Sequence, residues 1–160
     1  MKKSKFRVFL LEDDDNDAFL IQRAVERACG GCAVSRFHDP TEIIPFLEAL
    51  RSPWAEAPDV IISDLKMPRM SGLEFVEWLR ASPFSCIPVL MLSGSALAED
   101  VLRAYRHGAN SFSTKPVDVH DLDAIVGAVM KYWKEASHTP AALARGEGSL
   151  VLENPFGIRE

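Results

Sequence analysis

The chain has 160 residues, which suits one domain, and its 48% hydrophobic and 26% charged residues indicate a packed core rather than disorder. A formal net charge of -5 with no strongly basic stretch argues against nucleic-acid binding. Apolar runs such as 8–11 and 89–92 are too short to span a bilayer, and the basic start is followed by a charged strand instead of a signal peptide. We therefore expect a soluble, cytoplasmic protein.

Strand and helix patterns alternate along the chain. In chain order they predict a strand at 6–11, a helix at 15–28, a strand at 33–37, a helix at 41–50, a strand at 60–63, a helix at 72–81, a strand at 87–92, a helix at 97–107, a strand at 110–113 and a helix at 119–133. This alternation predicts an α/β fold, in which right-handed crossovers place helices on both faces of a parallel sheet. Near-continuous apolar strands such as VIIS at 60–63 agree with burial on both faces.

Polar residues follow four of the predicted strands. Glu12 and Asp13 follow the first strand, Asp64 the third, Ser93 the fourth and Lys115 the fifth. Ligands of open α/β sheets bind at the carboxyl ends of the strands, so we expect these side chains to converge.

The residue types predict phosphoryl chemistry. Carboxylates gathered at one sheet edge repel one another unless a cation lies among them, and hard oxygen ligands suit Mg²⁺. Asp64 could then act as a nucleophile that forms an acyl phosphate. Lys115 and the Ser93 hydroxyl would contact the phosphoryl oxygens. Taken singly, each residue also has an ordinary structural explanation, and either Asp14 or Asp15 could be only a helix N-cap.

The three cysteines are an odd number and do not form a disulfide framework. Cys29 and Cys32 have the C-x-x-C spacing of a redox site. However, Cys29 is expected at the C-terminal end of a helix, where the dipole disfavours a thiolate. We interpret the pair as a helix stop with two small buried thiols.

Four segments resemble the receiver domains of bacterial two-component response regulators. They are the Glu12-Asp13 pair, residues 59–72 (DVIISDLKMPRMSG), residues 89–94 (VLMLSG) and residues 112–116 (FSTKP). Each motif is weak alone, but all four occur in order at matching spacing, and the resemblance covers residues 6 to about 133. It implies a flavodoxin-like, doubly wound five-stranded sheet with the strand order 2-1-3-4-5.

The resemblance also implies residue roles. Asp64 would be phosphorylated, and Ser93 and Lys115 would contact the phosphoryl group. Mg²⁺ would be bound by Asp13, Asp64 and the backbone carbonyl of Lys66, with Glu12 helping through water. Phe112 would be the switch aromatic, and the Lys115–Pro116 bond would be cis. Lys66 departs from the family pattern, where a smaller polar residue is common.

Phosphorylation would change the surface formed by the predicted fourth helix, fifth strand and fifth helix. The implied partner is a sensor histidine kinase or a phosphotransfer protein, and the small receivers that serve phytochrome-type kinases (bacteriophytochromes) are similar. The nearly all-apolar run 124–133 predicts homodimerisation, unless the C-terminal tail covers it. We assign residues 1–136 to the receiver domain and 137–160 to a tail without an output domain.

Two other functional classes are less well supported. An aspartate-nucleophile phosphatase normally has a second Asp two residues after the nucleophile, where this chain has Lys66. A non-phosphorylated interaction module would need neither Asp64 nor Lys115. We therefore expect a phospho-acceptor switch rather than an enzyme.

Overall fold

Five short strands form one parallel sheet in the order β2-β1-β3-β4-β5. The computed structural model describes residues 5–51 and 53–147. The strands are β1 (Arg7–Leu11), β2 (Ala33–Phe37), β3 (Val60–Ser63), β4 (Val89–Ser93) and β5 (Ser111–Thr114). In the register, Leu11 pairs with both Phe37 and Ser63, and Ser93 pairs with Thr114, so the carboxyl ends of the strands lie along one edge. The predicted fold and strand order are confirmed.

Most of the helices begin at a residue whose side chain caps the first turn. They are α1 (Asp15–Ala28), α2 (Pro40–Glu48), α3 (Pro53–Glu56), α4 (Gly72–Arg80), α5 (Ala98–His107), α6 (Val119–Lys131) and α7 (Pro140–Ala144), and α6 continues into a π-helical turn at Tyr132–Ala136. Asp14 is the N-cap of α1, so of the two predicted candidates, Asp14 and Asp15, the first is confirmed. Ser71 forms a capping box with Glu74 at the start of α4. The sequence did not predict the short helices α3 and α7.

Two apolar layers lie on the two faces of the sheet. One layer packs α1 and α6 against the even-numbered residues of β1, and it includes Val8, Leu10, Ile21, Val126 and Met130. The other layer packs α2 to α5 against the opposite face, and it includes Leu11, Ile43, Ile61, Phe75 and Met91. Side chains alternate between the faces of a strand, so a strand covered by helices on both sides is apolar throughout.

The chain after α6 crosses to the second layer. Helix α7 contacts α3, and Ala141 is buried in the apolar layer of α2 to α5. Thr139 Oγ1 donates to Asp59 Oδ1 at 2.5 Å, and Arg145 Nη2 donates to both oxygens of Asp59 at 2.8 Å. Residues 148–160 of the predicted tail, which include the apolar groups at 150–152 and 155–158, lie outside the described residues.

Cys29 and Cys32 form a disulfide, so the expectation of two free thiols was wrong. Gly31 has a φ of 93°, and the Cys32 amide donates to the Cys29 carbonyl at 3.0 Å. This turn brings the two Cα atoms within 5.6 Å, a separation that a disulfide spans. The helix-dipole argument concerned thiolate reactivity, whereas the turn geometry decides whether the sulfurs can pair.

None of the helices in residues 5–51 and 53–147 is both long enough and apolar enough to cross a membrane.

Candidate functional site

Lys115 lies at the centre of the carboxylates that end the strands. Its ammonium group donates to Glu12 Oε2 at 2.6 Å, to Asp17 Oδ2 at 2.9 Å and to Asp64 Oδ2 at 3.1 Å. The Lys115 backbone amide donates to the Ser93 carbonyl at 2.7 Å, which fixes the end of β5 beside the end of β4. Side chains from α1 and from the loops that follow β1 and β3 therefore meet at the lysine that follows β5.

Glu12 is a buried carboxyl, only 1% exposed, at the end of β1. Burial raises its pKa to about 7, against the opposing hydrogen bond from Lys115, and the nearby charge of Asp64 adds to the rise. Arg36 from β2 donates to the backbone carbonyls of Glu12 and Asp13 at 3.0 and 3.3 Å, which holds this turn in place. Asp13 itself is exposed.

Burial alone would lower the pKa of Lys115, but the hydrogen bonds to Glu12 and Asp17 and the charge of Asp64 outweigh burial and raise the pKa above its usual value. Lys115 is therefore held as a cation. Its side chain is 13% exposed, so it remains accessible from the cleft.

Asp64 follows β3 directly, and its backbone is tied on both sides. Its amide donates to the Leu11 carbonyl at 2.9 Å, and its Oδ1 accepts from the Leu65 amide at 2.6 Å. Gly72 is packed so closely against the Asp64 carbonyl that a Cβ on residue 72 would overlap it. The start of α4 thus rests on the backbone of the residue that carries the central carboxylate.

Arg69 anchors the loop between Asp64 and α4. It has a left-handed φ of 67°, which is uncommon for a non-glycine residue, and its guanidinium forms an ion pair with the fully buried Asp39. Asp39 is also the N-cap of α2, where it accepts from the Thr41 amide at 2.7 Å. The ion pair between Arg69 and Asp39 therefore joins the loop after β3 to the start of α2.

Ser93 ends β4 and is 2% exposed. Its hydroxyl oxygen accepts from the Ser95 amide at 3.2 Å, and the Ser95 hydroxyl donates to Asp100 in α5. A cleft of about 400 Å³ lies between residues 93–97 on one side and Asp17, Asp64, Lys66 and Lys115 on the other. The cleft is large enough for a phosphoryl group.

Three carboxylates in the cleft could hold a metal ion. Ligand oxygens of Glu12, Asp13 and Asp64 all lie within 4.8 Å of one another. They are hard oxygen donors, and the donor set leaves room for waters, as Mg²⁺ requires. The residues present therefore fit the expected ion.

Phe112 is half-buried on β5, opposite Met91 of β4, and it packs against the layer of α2 to α5. Its backbone amide donates to the Tyr105 hydroxyl at 3.2 Å, so α5 is hydrogen-bonded to β5 at this position. The sequence did not indicate this role for Tyr105.

The structure brings the predicted residues Glu12, Asp13, Asp64, Ser93 and Lys115 to one edge of the sheet, and Lys66 lines the same cleft. Their chemical roles remain predictions. The predicted cis Lys115–Pro116 bond was wrong, because the described residues contain no cis peptide bond and trans is the ordinary ground state of an X–Pro bond.

Sequence reasoning missed Asp17. A signal was present, because Asp17 is an acidic residue in the first turn of α1, which follows directly after the end of β1.

Residues 8–127 match the family model of the response regulator receiver domain. The chain belongs to this family. Receiver domains are components of response regulators, so the predicted resemblance is confirmed.

Known relatives extend this assignment. The receiver domain is 28% identical over 140 residues to response regulator Rcp1 of Synechocystis, covering 84% of this chain and 93% of Rcp1. It is 29% identical over 136 residues to the probable methanogenesis regulatory protein FilR2 of Methanothrix harundinacea, covering 84% of this chain and 88% of FilR2. By contrast, it spans only 26% of the transcriptional regulator NtrC of Proteus hauseri, with 27% identity.

Solved structures agree with the fold. The phosphorylated cyanobacterial phytochrome response regulator RcpA superposes with a TM-score of 0.77 and 27% identity, covering 86% of this chain and 99% of RcpA. The Mn²⁺-bound form of Rcp1 superposes with a TM-score of 0.73 and 25% identity, covering 84% of this chain and 98% of Rcp1. Both relatives are themselves response regulators.

Proposed function

We propose that this receiver domain accepts a phosphoryl group on Asp64 and relays a signal as a switch, without turnover of an external substrate. The supporting observation is the contact of Lys115 with both Glu12 and Asp64, at 2.6 and 3.1 Å. One cleft therefore contains Asp64 as the nucleophilic carboxylate and Lys115 as a fixed cation. The acidic cluster that could bind a metal ion lies at the same place.

In the proposed reaction, a carboxylate oxygen of Asp64 attacks the phosphorus of a phosphohistidine on a sensor kinase or phosphotransfer protein. The new O–P bond forms as the donor's P–N bond breaks, and the electron pair stays on the imidazole nitrogen. Lys115 holds an oxygen of the transferred group, and the Ser93 hydroxyl donates to another. Hydrolysis by water later returns Asp64 to the carboxylate.

The ion that fits this site is Mg²⁺, which Asp13, Asp64 and the Lys66 carbonyl would hold, with Glu12 assisting through water. When bound, it neutralises carboxylate repulsion and developing charge on the phosphoryl oxygens. The Mn²⁺-bound form of Rcp1 supports a divalent ion in a related protein.

The proposed output surface is formed by α5, β5 and α6. Ser93 accepts from Ser95 at 3.2 Å, and Ser95 donates to Asp100 of α5, so an inward movement of Ser93 would pull on this helix. Phe112 then rotates inward, which changes the surface in a two-state manner.

The same surface is proposed to bind a second copy of the chain. Leu97, the N-cap of α5, and Leu102 within α5 are 65% and 54% exposed, so this surface offers apolar area for a second copy. Light scattering on the phosphorylated and unphosphorylated chain would measure the dimer.

Phe112→Ala should weaken the dependence of dimerisation on phosphorylation and leave phosphate uptake intact. If the variant dimerised as tightly as the unmodified chain in both the phosphorylated and the unphosphorylated state, the switch role of Phe112 would be contradicted.

The similarity to the phytochrome response regulator RcpA supports a phytochrome-type histidine kinase as the phosphate donor for this chain. Transfer from a purified bacteriophytochrome kinase, compared with a kinase of another sensor class, would test that choice.

Incubation with acetyl phosphate and Mg²⁺, followed by intact mass measurement, tests the acceptor function. We expect a phosphate adduct that is absent in Asp64→Asn and retained in Glu77→Gln, which changes an exposed carboxyl on α4. An adduct that persists in Asp64→Asn would assign phosphorylation to another residue. The absence of any adduct in the unmodified chain would favour a non-phosphorylated interaction module.

A further inference from the structure

Asp17 occupies one of the three N–H donors of Lys115. A lysine ammonium has only three N–H groups, and the Lys115 donors are directed to Glu12, Asp17 and Asp64 at 2.6, 2.9 and 3.1 Å. A phosphoryl group on Asp64 can take over the donor directed at Asp64, but any further contact with Lys115 must use a donor held by Glu12 or Asp17.

The three carboxylates differ in how readily water can replace Lys115. The side chains of Glu12 and Asp64 are 1% and 12% exposed, whereas that of Asp17 is 44% exposed. A buried carboxylate that loses its partner bears the full cost of desolvation, while an exposed one is solvated at once. Asp17 is therefore the partner that Lys115 can leave most easily.

Asp17 is also fixed in position at the mouth of the cleft. Its backbone amide donates to the side chain of Asp14, the N-cap of α1, at 2.8 Å. Its side chain lines the same cleft as Asp64, Lys66 and Ser93. An anionic group arriving at Asp64 thus meets the negative charge of Asp17, which is already paired with Lys115.

We propose that Asp17 is a positioning residue that competes with the phosphoryl group for Lys115. This inference rests on the proposed function. In the unphosphorylated chain, Asp17 holds one N–H of Lys115. On phosphorylation, that N–H donates to a phosphoryl oxygen instead, and the Asp17 carboxylate is released to water. No covalent bond of Asp17 changes in this exchange. The charge of Asp17 opposes the phosphorylated state, so it slows formation of the acyl phosphate and shortens its lifetime.

The variant Asp17→Asn removes the charge and keeps the shape. With acetyl phosphate and Mg²⁺, we expect faster adduct formation and slower loss after donor removal, each by about two- to fivefold, which is the effect of one partly exposed charge. The difference from the unmodified chain should shrink at high salt, because an exposed charge is screened. Asp17→Glu should restore rates close to those of the unmodified chain.

The matched control is Asp15→Asn, which removes the same charge from the same helix turn. The Asp15 side chain is 86% exposed and pairs with Arg36 rather than with Lys115. Its rates should stay near those of the unmodified chain, and an equal change in both variants would assign the effect to the general field of α1 and overturn the competition.

Slower adduct formation in Asp17→Asn would overturn the proposal in another way, since it would mean that Asp17 presents Lys115 to the phosphoryl group. Unchanged rates in Asp17→Asn would overturn the competition alone, provided that the unmodified chain takes up phosphate on Asp64. If the unmodified chain takes up none, the proposed acceptor function fails, and the competition fails with it.

Discussion

Arg145 Nη2 lies 2.8 Å from each carboxylate oxygen of Asp59, and the two residues are 86 positions apart in the chain. Both side chains are buried, at 7% and 0% exposed, so the pair is shielded from water. Through it, the segment after α6 is held against the start of β3, at the sheet edge opposite the cleft.

The substitution Arg145→Met should destabilise the chain by about 3 kcal/mol, because it leaves the Asp59 charge buried without its cation. Urea unfolding followed by circular dichroism would measure the loss. Arg106→Met is the matched control at an exposed position of α5 and should stay within about 0.5 kcal/mol of the unmodified chain. Equal stability of the two variants would show that the buried pair contributes nothing measurable.

Gly72→Ala should damage both stability and phosphate uptake. The added Cβ would overlap the Asp64 carbonyl, so the backbone at the acceptor must shift, at a cost of about 1–3 kcal/mol. Gly127→Ala in α6 is the control, because an added Cβ would meet no atom of the described residues within 4 Å beyond its chain neighbours and its own helix backbone, and helix propensity favours alanine. Unfolding curves and adduct yield should separate the variants, and normal uptake in Gly72→Ala would contradict the prediction.

The Asp39 carboxylate should stabilise the fold in a pH-dependent way. Burial favours its neutral form, but the hydrogen bonds from Thr41 and Arg69 outweigh burial and hold its pKa below the usual value. The folded chain therefore binds this proton less readily than the unfolded chain, and the added stability is present above about pH 4 and is lost as pH falls through the folded pKa. Asp39→Asn should flatten the acid side of a plot of unfolding free energy against pH, and an unchanged slope would argue against this role.

Lys66→Asn should alter the lifetime of the phosphate. Lys66 is exposed and lines the cleft with Asp64, so its cation can stabilise the phosphoryl group and obstruct an attacking water. We expect hydrolysis to accelerate by about two- to fivefold in the variant, as measured by loss of the adduct with time. Equal lifetimes in the variant and the unmodified chain would contradict this role of the Lys66 cation. Lys66→Arg keeps the positive charge and should hydrolyse the phosphate as slowly as the unmodified chain.

Reduction of the Cys29–Cys32 disulfide should lower stability modestly. The bridge closes a loop of sequence separation 3, and the chain-entropy model gives about 2 kcal/mol for a loop this short. Thiol alkylation followed by intact mass should add one label to the oxidised chain, at the exposed Cys86, and three labels after reduction. Three labels without reductant would mean that the bridge does not form, and Cys86→Ser should remove the single label.

Much of the candidate site could be predicted because local patterns carry it. Apolar runs mark the buried strands β1, β3 and β4, and residues that follow a strand lie at the carboxyl edge of the sheet, so Glu12, Asp64, Ser93 and Lys115 were expected to lie together. The Cys29–Cys32 pair was mispredicted because a helix-dipole argument about reactivity cannot show whether a turn brings two sulfurs together.

By itself, the sequence determined the alternation of strands and helices and the residues that end each strand, since periodicity and capping act over a few neighbours. Only the tertiary structure decided that Asp17 contacts Lys115 and that Arg145 contacts Asp59. Contacts between residues so distant in sequence depend on how α1 and α7 pack against the sheet, and no local pattern encodes that packing.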